Sequence, residues 1–92
     1  MSWYLRSLPQ GHVDFLSLDV EGAELEVLLT MNFNEVVVEV FMIELHDTTE
    51  PEQAENWRIR NLLQNLGYKE CFKIFVPDSG IFVRQQGPYA NC

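Results

Sequence analysis

Five residues whose side chains exchange protons or bind ions follow two apolar segments of the sequence. Asp19 and Glu21 end the first segment, and the second ends with Glu44, His46 and Asp47. Because an imidazole exchanges protons near neutral pH, His46 has the residue type of a general base. The carboxylates can orient a hydroxyl or an amine. If the fold brings the two segment ends together, these residues predict proton-transfer chemistry at one edge of the protein.

The two apolar segments, residues 13–19 and residues 36–45, predict β-strands. Segments of this kind suit neighbouring parallel strands that are covered on both faces. In open α/β sheets, ligands bind just past the carboxyl ends of such strands. Asp19 is the strongest candidate for a functional acid, because a carboxylate at the end of a buried strand is costly without partners.

Each of these strands is followed by a predicted helix. The first helix, over residues 23–31, begins after Gly22, where glycine allows a sharp turn. The second begins at a capping box formed by Thr49 and Glu52, and it ends before Gly67. Apolar side chains at helical spacing predict the buried faces: Leu25, Leu28 and Leu29 in the first helix, and Ile59, Leu62, Leu63 and Leu66 in the second.

The remainder of the sequence predicts a β-hairpin. Residues 68–76 and 81–84 have the pattern of strands, and Pro77-Asp78-Ser79-Gly80 has the composition of a turn. Residues 85–92 show no periodicity and predict a loose tail. The element order predicts a single α/β domain, with two parallel strands, helices on the faces of the sheet and an antiparallel hairpin at the carboxyl end.

The composition argues against several classes of protein. A net charge of −8 disfavours binding to nucleic acid phosphates or to anionic membranes. No apolar segment approaches the roughly 18–20 residues of a membrane helix. The start of the chain lacks the apolar core of a signal peptide, and residues 2–8 predict one or two helical turns instead. Cys71 and Cys92 predict neither a metal site nor a disulfide framework, so the compartment is left open.

Structural interpretations compete with the functional ones. Glu24 and Glu26 suit the first turn of a helix, where carboxylates complement the helix dipole. His46 also suits an ordinary loop position, and Trp57 suits the core. A cation site is a further alternative, although no local spacing supports it. Its ligands would be of suitable types, namely Asp19, Glu44, His46 and Asp47.

The segment Asp19-Val20-Glu21-Gly22-Ala23-Glu24, followed by Leu25-Glu26-Val27-Leu28, resembles the signature of the FkbM family of S-adenosylmethionine-dependent methyltransferases. A looser match extends over residues 13–84. The resemblance implies a Rossmann-like class I methyltransferase fold, of which this chain corresponds to the carboxyl-terminal half. It also implies S-adenosylmethionine as the cofactor and methyl transfer to the hydroxyl of a small molecule or a glycan.

The resemblance also implies roles for individual residues. The acid-rich loop of the family corresponds to Asp19, Glu21 and Gly22, which implies cofactor binding by Asp19, Val20 and Gly22 and a catalytic role for Asp19 and Glu21. His46 joins the catalytic set through its position after the second strand and not through the motif. Methyl transfer requires the acceptor oxygen at a near-attack distance, roughly 3 Å, and a base for its proton.

One departure from the family pattern bears on activity. Methyltransferases of this type hold the cofactor with a Gly-rich turn and with an acid that binds the ribose, and this sequence contains no Gly-x-Gly-x-x-Gly. We therefore expect the polypeptide alone to bind the cofactor weakly or not at all. The apolar edge of the first strand leaves three alternatives: self-association, an N-terminal segment that folds over the edge, or a poorly stable chain. The alternative to an enzyme is a non-catalytic interaction or trafficking module that keeps the methyltransferase fold.

Overall fold

The computed structural model describes residues 12–19 and 22–92, and the helical turns predicted at residues 2–8 lie outside this part of the chain. The four strands form one sheet in the order β1-β2-β4-β3. The predicted elements are confirmed, with bounds that agree to within two residues. In chain order they are β1 (His12–Leu18), α1 (Glu24–Thr30), β2 (Val37–Glu44), α2 (Glu50–Asn65), β3 (Tyr68–Val76) and β4 (Ser79–Arg84).

The sheet is mixed, and its first two strands are parallel neighbours as predicted. Leu18 of β1 pairs with Ile43 of β2, so the next residues, Asp19 and Glu44, reach the same edge of the sheet. β4 is antiparallel to both β2 and β3. The predicted hairpin is therefore confirmed, and β4 alone runs against the direction of the other three strands.

Both helices pack on the same face of the sheet. Their apolar side chains share a single core with alternate residues of the strands: Leu16, Leu18, Phe41, Ile43 and Phe82 from the sheet, and Val27, Leu28, Ile59 and Leu63 from the helices. Side chains alternate between the two faces of a strand. Phe15 consequently points away from this core and is 55% exposed. The prediction that both faces of β1 are covered is wrong.

The buried face of α1 differs from the predicted one. Glu24, Val27 and Leu28 are its buried residues, whereas Leu29, predicted to face the core, is exposed. The buried face is thus rotated by about one residue, because the helix packs with its first glutamate turned inward. This rotation brings an acid to the edge where β1 and β2 end.

The longer helix, α2, follows the prediction more closely. The Thr49 hydroxyl accepts a hydrogen bond from the backbone N–H of Glu52, which completes the predicted capping box. Ile59 and Leu63 are fully buried. Trp57, predicted to lie in the core, is instead exposed, because it falls outside the stripe that faces the sheet. No helix of the described residues has both the length and the apolar character to span a membrane.

The carboxyl-terminal segment is attached to the second face of the sheet. A disulfide joins Cys71 of β3 to Cys92, with 21 residues of sequence separation. Cys71 forms a small second core with Ile81 and Val83, and Cys92 packs against it. The disulfide and this apolar cluster connect the tail, predicted to be loose, to β3.

Candidate functional site

Three carboxylates converge where β1 and β2 end. Asp19 directly follows β1, Glu44 is the last residue of β2, and Glu24 opens α1. Each of the three places a carboxylate oxygen within 4.8 Å of the others. The parallel register of the strands explains the meeting of Asp19 with Glu44, and the inward face of α1 explains the arrival of Glu24.

Glu24 is almost completely buried, with 4% of its surface exposed. Its Oε1 accepts a hydrogen bond from the backbone N–H of Gly22 at 3.1 Å. Gly22 has a φ of 96°, in the left-handed region that favours glycine, as expected for a turn. From its place in the first turn, Glu24 was predicted to complement the helix dipole. Its spacing to Val27 and Leu28, at i+3 and i+4, is the signal that it faces inward.

His46 lies beside Glu44. Its Nε2 is 2.8 Å from Oε1 of Glu44, and about half of its side chain is exposed. The hydrogen bond with Glu44 raises the pKa of His46, and the charges of Asp78 and Glu52 act in the same direction. The ring is therefore a stronger proton acceptor than an isolated histidine.

Glu44 lies between an acid and this imidazole. Burial of its carboxyl group raises the pKa of Glu44, and a hydrogen bond with Asp19 raises it further. The hydrogen bond with His46 acts in the opposite direction. Glu44 thus contacts both Asp19 and His46, the two predicted catalytic residues that the structure describes.

Two side chains of α2 hold the loop that carries His46. The buried Asn56 donates from Nδ2 to the carbonyl oxygen of His46 at 2.7 Å, and Gln53 donates from Nε2 to the carbonyl oxygen of Asp47 at 2.9 Å. Asn56 was not predicted as a functional residue, although its position three residues before Ile59 places it on the buried stripe of the helix. The loop is therefore anchored by its backbone and not only by side-chain packing.

A cavity of about 320 Å³ opens at this edge, between the strand ends and α2. The cavity is lined by two glutamates of α2 and by Gly22, Glu24, Glu44, His46 and Asn56. The volume is at the lower end of the range of small-molecule pockets, about 300–1,000 Å³. A lining with this much negative charge suits the positively charged part of a ligand.

The remaining predicted site residues do not join this group. Val20 and Glu21 lie outside the described residues, so their roles stay predictions. Asp47 is exposed and is not among the described residues that line the cavity. The four residues of the alternative cation site do not cluster as a set. The oxygens that lie within 4.8 Å of one another belong to Asp19, Glu24 and Glu44.

The chain has a match among known protein families. The model of the methyltransferase FkbM domain matches residues 5–70 of the 92 residues, a range that reaches from before β1 to the start of β3. No curated protein and no solved structure matches the chain. The mixed four-stranded sheet with two helices is compatible with half of a methyltransferase domain, and the match supports a methyltransferase-like function. The chain belongs to the FkbM methyltransferase domain family.

Proposed function

We propose that this chain forms the acidic edge of an S-adenosylmethionine-dependent methyltransferase that acts on the hydroxyl of a small molecule or a glycan. The family match supplies the reaction class. The observation that carries the proposal is the convergence of Asp19, Glu44 and His46 at the ends of two parallel strands. Transfer to a hydroxyl requires the oxygen at a near-attack position and an acceptor for its proton, and His46 with the neighbouring acids suits both needs.

The charge of the cavity lining fits the cofactor. S-adenosylmethionine has a positive sulfonium and a positive ammonium group at its methionine end, and the lining is rich in carboxylates. Asp19 and Gly22, with Val20 by resemblance to the family, would hold this end. When bound, the cofactor supplies a methyl group activated by the positive charge on sulfur.

The residues of this chain act on the acceptor. His46 takes the proton of the hydroxyl, and its raised pKa favours the protonated ring that results. Asp19 orients the acceptor by accepting a hydrogen bond from a second donor group on it, because the reacting hydroxyl gives its single proton to His46. Glu21 contributes a second acid by resemblance to the family. Asn56 keeps the His46 backbone in place while the proton moves.

Cofactor binding by this chain alone is expected to be weak. The backbone of a Gly-x-Gly-x-x-Gly turn makes close contact with a bound cofactor. The 92 residues contain no such motif, so this contact is not expected. We expect a dissociation constant in the millimolar range and no methyl transfer by these residues alone.

The test is an NMR titration of the ¹⁵N-labelled chain with S-adenosylmethionine and, separately, with S-adenosylhomocysteine. Shift changes should concentrate at Gly22, Glu44 and His46, and they should be weaker for the second ligand because it lacks the sulfonium charge. Asp19→Asn should reduce them. Asp47→Asn is the matched control, because Asp47 is exposed and lies outside the cavity lining. Shift changes elsewhere, or none with either ligand, would contradict the proposed site, and micromolar affinity would contradict weak binding.

Exposed apolar side chains on β3 favour a second candidate function, a non-catalytic interaction or trafficking module. Phe72 and Phe75 are 82% and 84% exposed, and the pairing of β3 with β4 is irregular between Cys71 and Val76. Exposed apolar strands at a sheet edge tend to pair with other chains. Sedimentation velocity tests self-association: it should be concentration-dependent in the native chain and reduced in a Phe72→Lys, Phe75→Lys variant. A native chain that stays monomeric would contradict this candidate as a self-associating module.

A further inference from the structure

We propose that Glu44 is a positioning residue that holds neutral His46 in the Nε2–H tautomer, so that Nδ1 is the nitrogen that accepts the proton of the methyl acceptor. The catalytic meaning of this inference rests on the proposed function. The tautomer itself is a property of this chain and can be measured without cofactor or acceptor.

The contact between the two side chains fixes which nitrogen carries hydrogen. Oε1 of Glu44 lies 2.8 Å from Nε2 of His46, within hydrogen-bond range. The hydrogen bond with His46 favours the ionised form of Glu44, against burial and Asp19. The oxygens of an ionised carboxylate only accept hydrogen bonds, so Nε2 of His46 donates. In a neutral imidazole the other nitrogen, Nδ1, then carries the free electron pair.

The partners of both residues restrict their movement. Glu44 and His46 are two positions apart in the chain, and their side chains contact each other. Glu44 pairs with Ser79 of β4 in the sheet, and the His46 backbone accepts the hydrogen bond from Asn56. The ring is therefore held by a carboxylate that is itself fixed in a strand.

Two other acids act on His46 through their charge. Asp78 in the turn between β3 and β4 and Glu52 of α2 both favour the protonated ring. Among the described residues, the acceptor that lies at a ring nitrogen of His46 is the Glu44 carboxylate. Charge at a distance favours protonation of the ring, whereas the direct bond selects between its nitrogens.

The proton transfer moves one proton from the acceptor to His46. The hydroxyl loses one proton, which binds the electron pair on Nδ1, and the ring becomes an imidazolium with hydrogen on both nitrogens. The Glu44 carboxylate then faces a positive charge across the same hydrogen bond, which stabilises the product of the transfer. Glu44 thus acts through His46 and does not contact the acceptor.

Long-range ¹H–¹⁵N correlation spectra of the whole chain measure the tautomer from the shifts of the ring nitrogens. The chain has two histidines, and His46→Asn assigns their signals. His12, whose ring faces Glu39 and Asp14, is an internal reference. At a pH where the ring is neutral, the ratio of Nε2–H to Nδ1–H at His46 should exceed that in the urea-unfolded chain by about tenfold.

The variants separate the hydrogen bond from the charge. Glu44→Ala should return the His46 ratio to the unfolded value, whereas Glu44→Gln, whose amide oxygen can still accept, should retain most of the preference. Asp78→Asn is the matched control, because it removes a nearby charge without the bond, and it should leave the ratio unchanged. An unchanged ratio in Glu44→Ala, or an equal loss in Asp78→Asn, would overturn the proposal. These outcomes do not affect the test of the proposed function by cofactor titration, because the tautomer spectra are recorded without any ligand.

Discussion

Arg84 of β4 donates two hydrogen bonds to the buried carboxylate of Glu39 in β2, from Nε to Oε1 at 2.9 Å and from Nη2 to Oε2 at 3.2 Å. His12 of β1 lies on the other side, with Nε2 at 2.6 Å from Oε2 of Glu39. One carboxylate therefore connects three strands at the end of the sheet opposite to the candidate site. The hydrogen bonds from Arg84 hold the pKa of Glu39 below its ordinary value, although burial acts against them.

This depressed pKa predicts a loss of stability in acid. The pKa of Glu39 is lower in the folded chain than in the unfolded one, so its contribution is fully present above the unfolded pKa. It is lost as the pH falls through the folded pKa. Urea unfolding followed by circular dichroism, from about pH 6 to about pH 3, should show this decline. Glu39→Gln should be less stable at the higher pH and show a smaller decline. Glu35→Gln, at an exposed position, is the control, and equal declines in all three chains would contradict the prediction.

A comparison of two arginines tests the effect of burial on an ion pair. Arg84 pairs with a carboxylate whose side chain is 3% exposed, whereas Arg60 makes a similar contact with Glu70, at 2.8 Å, near the surface. Arg84→Leu should lower the free energy of unfolding by roughly 2–4 kcal/mol, because it leaves a buried charge with one partner fewer. Arg60→Leu should cost less than about 1 kcal/mol. Similar costs for the two variants, measured by urea unfolding, would refute this ranking.

Gly87 is the residue whose lack of a side chain makes room for Glu39. A β-carbon at this position would overlap Oε1 of Glu39, and that oxygen is held by Arg84 and cannot move away freely. Gly87→Ala should therefore lower the free energy of unfolding by roughly 1–3 kcal/mol.

A double-mutant cycle identifies the cause of that loss. In a Glu39→Ala background the overlap is removed, so the same Gly87→Ala change should cost much less. An equal cost in both backgrounds would mean that the backbone, and not the carboxylate, requires glycine at this position.

The start of α2 offers a local test of the capping box. Thr49→Ala removes the acceptor for the backbone N–H of Glu52 and should cost about 1 kcal/mol of unfolding free energy. Thr48→Ala is the neighbouring control: it removes an exposed hydroxyl that donates to the Glu52 side chain and should cost about 0.5 kcal/mol. Urea unfolding measures both changes. A larger loss in Thr48→Ala would show that the Glu52 side chain, and not the N-cap hydroxyl, stabilises the helix start.

The sequence contains enough information for the elements and for the parallel pair. Two apolar segments separated by a helix of suitable length predict neighbouring parallel strands, and these strands bring Asp19 to Glu44. Local signals also predict the helix limits, through the Thr49 cap and Gly67, whose φ of 93° agrees with a helix stop. The limits of the elements and the pairing of the first two strands were thus predictable.

The inward positions of Glu24 and Asn56 were harder to predict, because polar residues on a buried helix face contradict the usual hydrophobic pattern. The partner of Asn56 is the backbone carbonyl of His46, which lies outside the helix, so the helical pattern does not reveal it. The exposed face of β1 was missed for another reason. Periodicity separates the two faces of a strand, but it does not show that both helices pack on one of them.

The bond between Cys71 and Cys92 closes the intervening chain into a covalent ring. A single protease cut inside that ring separates no fragment, because the sulfur atoms still join the two pieces. Limited digestion would therefore appear as the gain of one water molecule in mass under non-reducing conditions. Only a thiol reagent would release the carboxyl-terminal peptide.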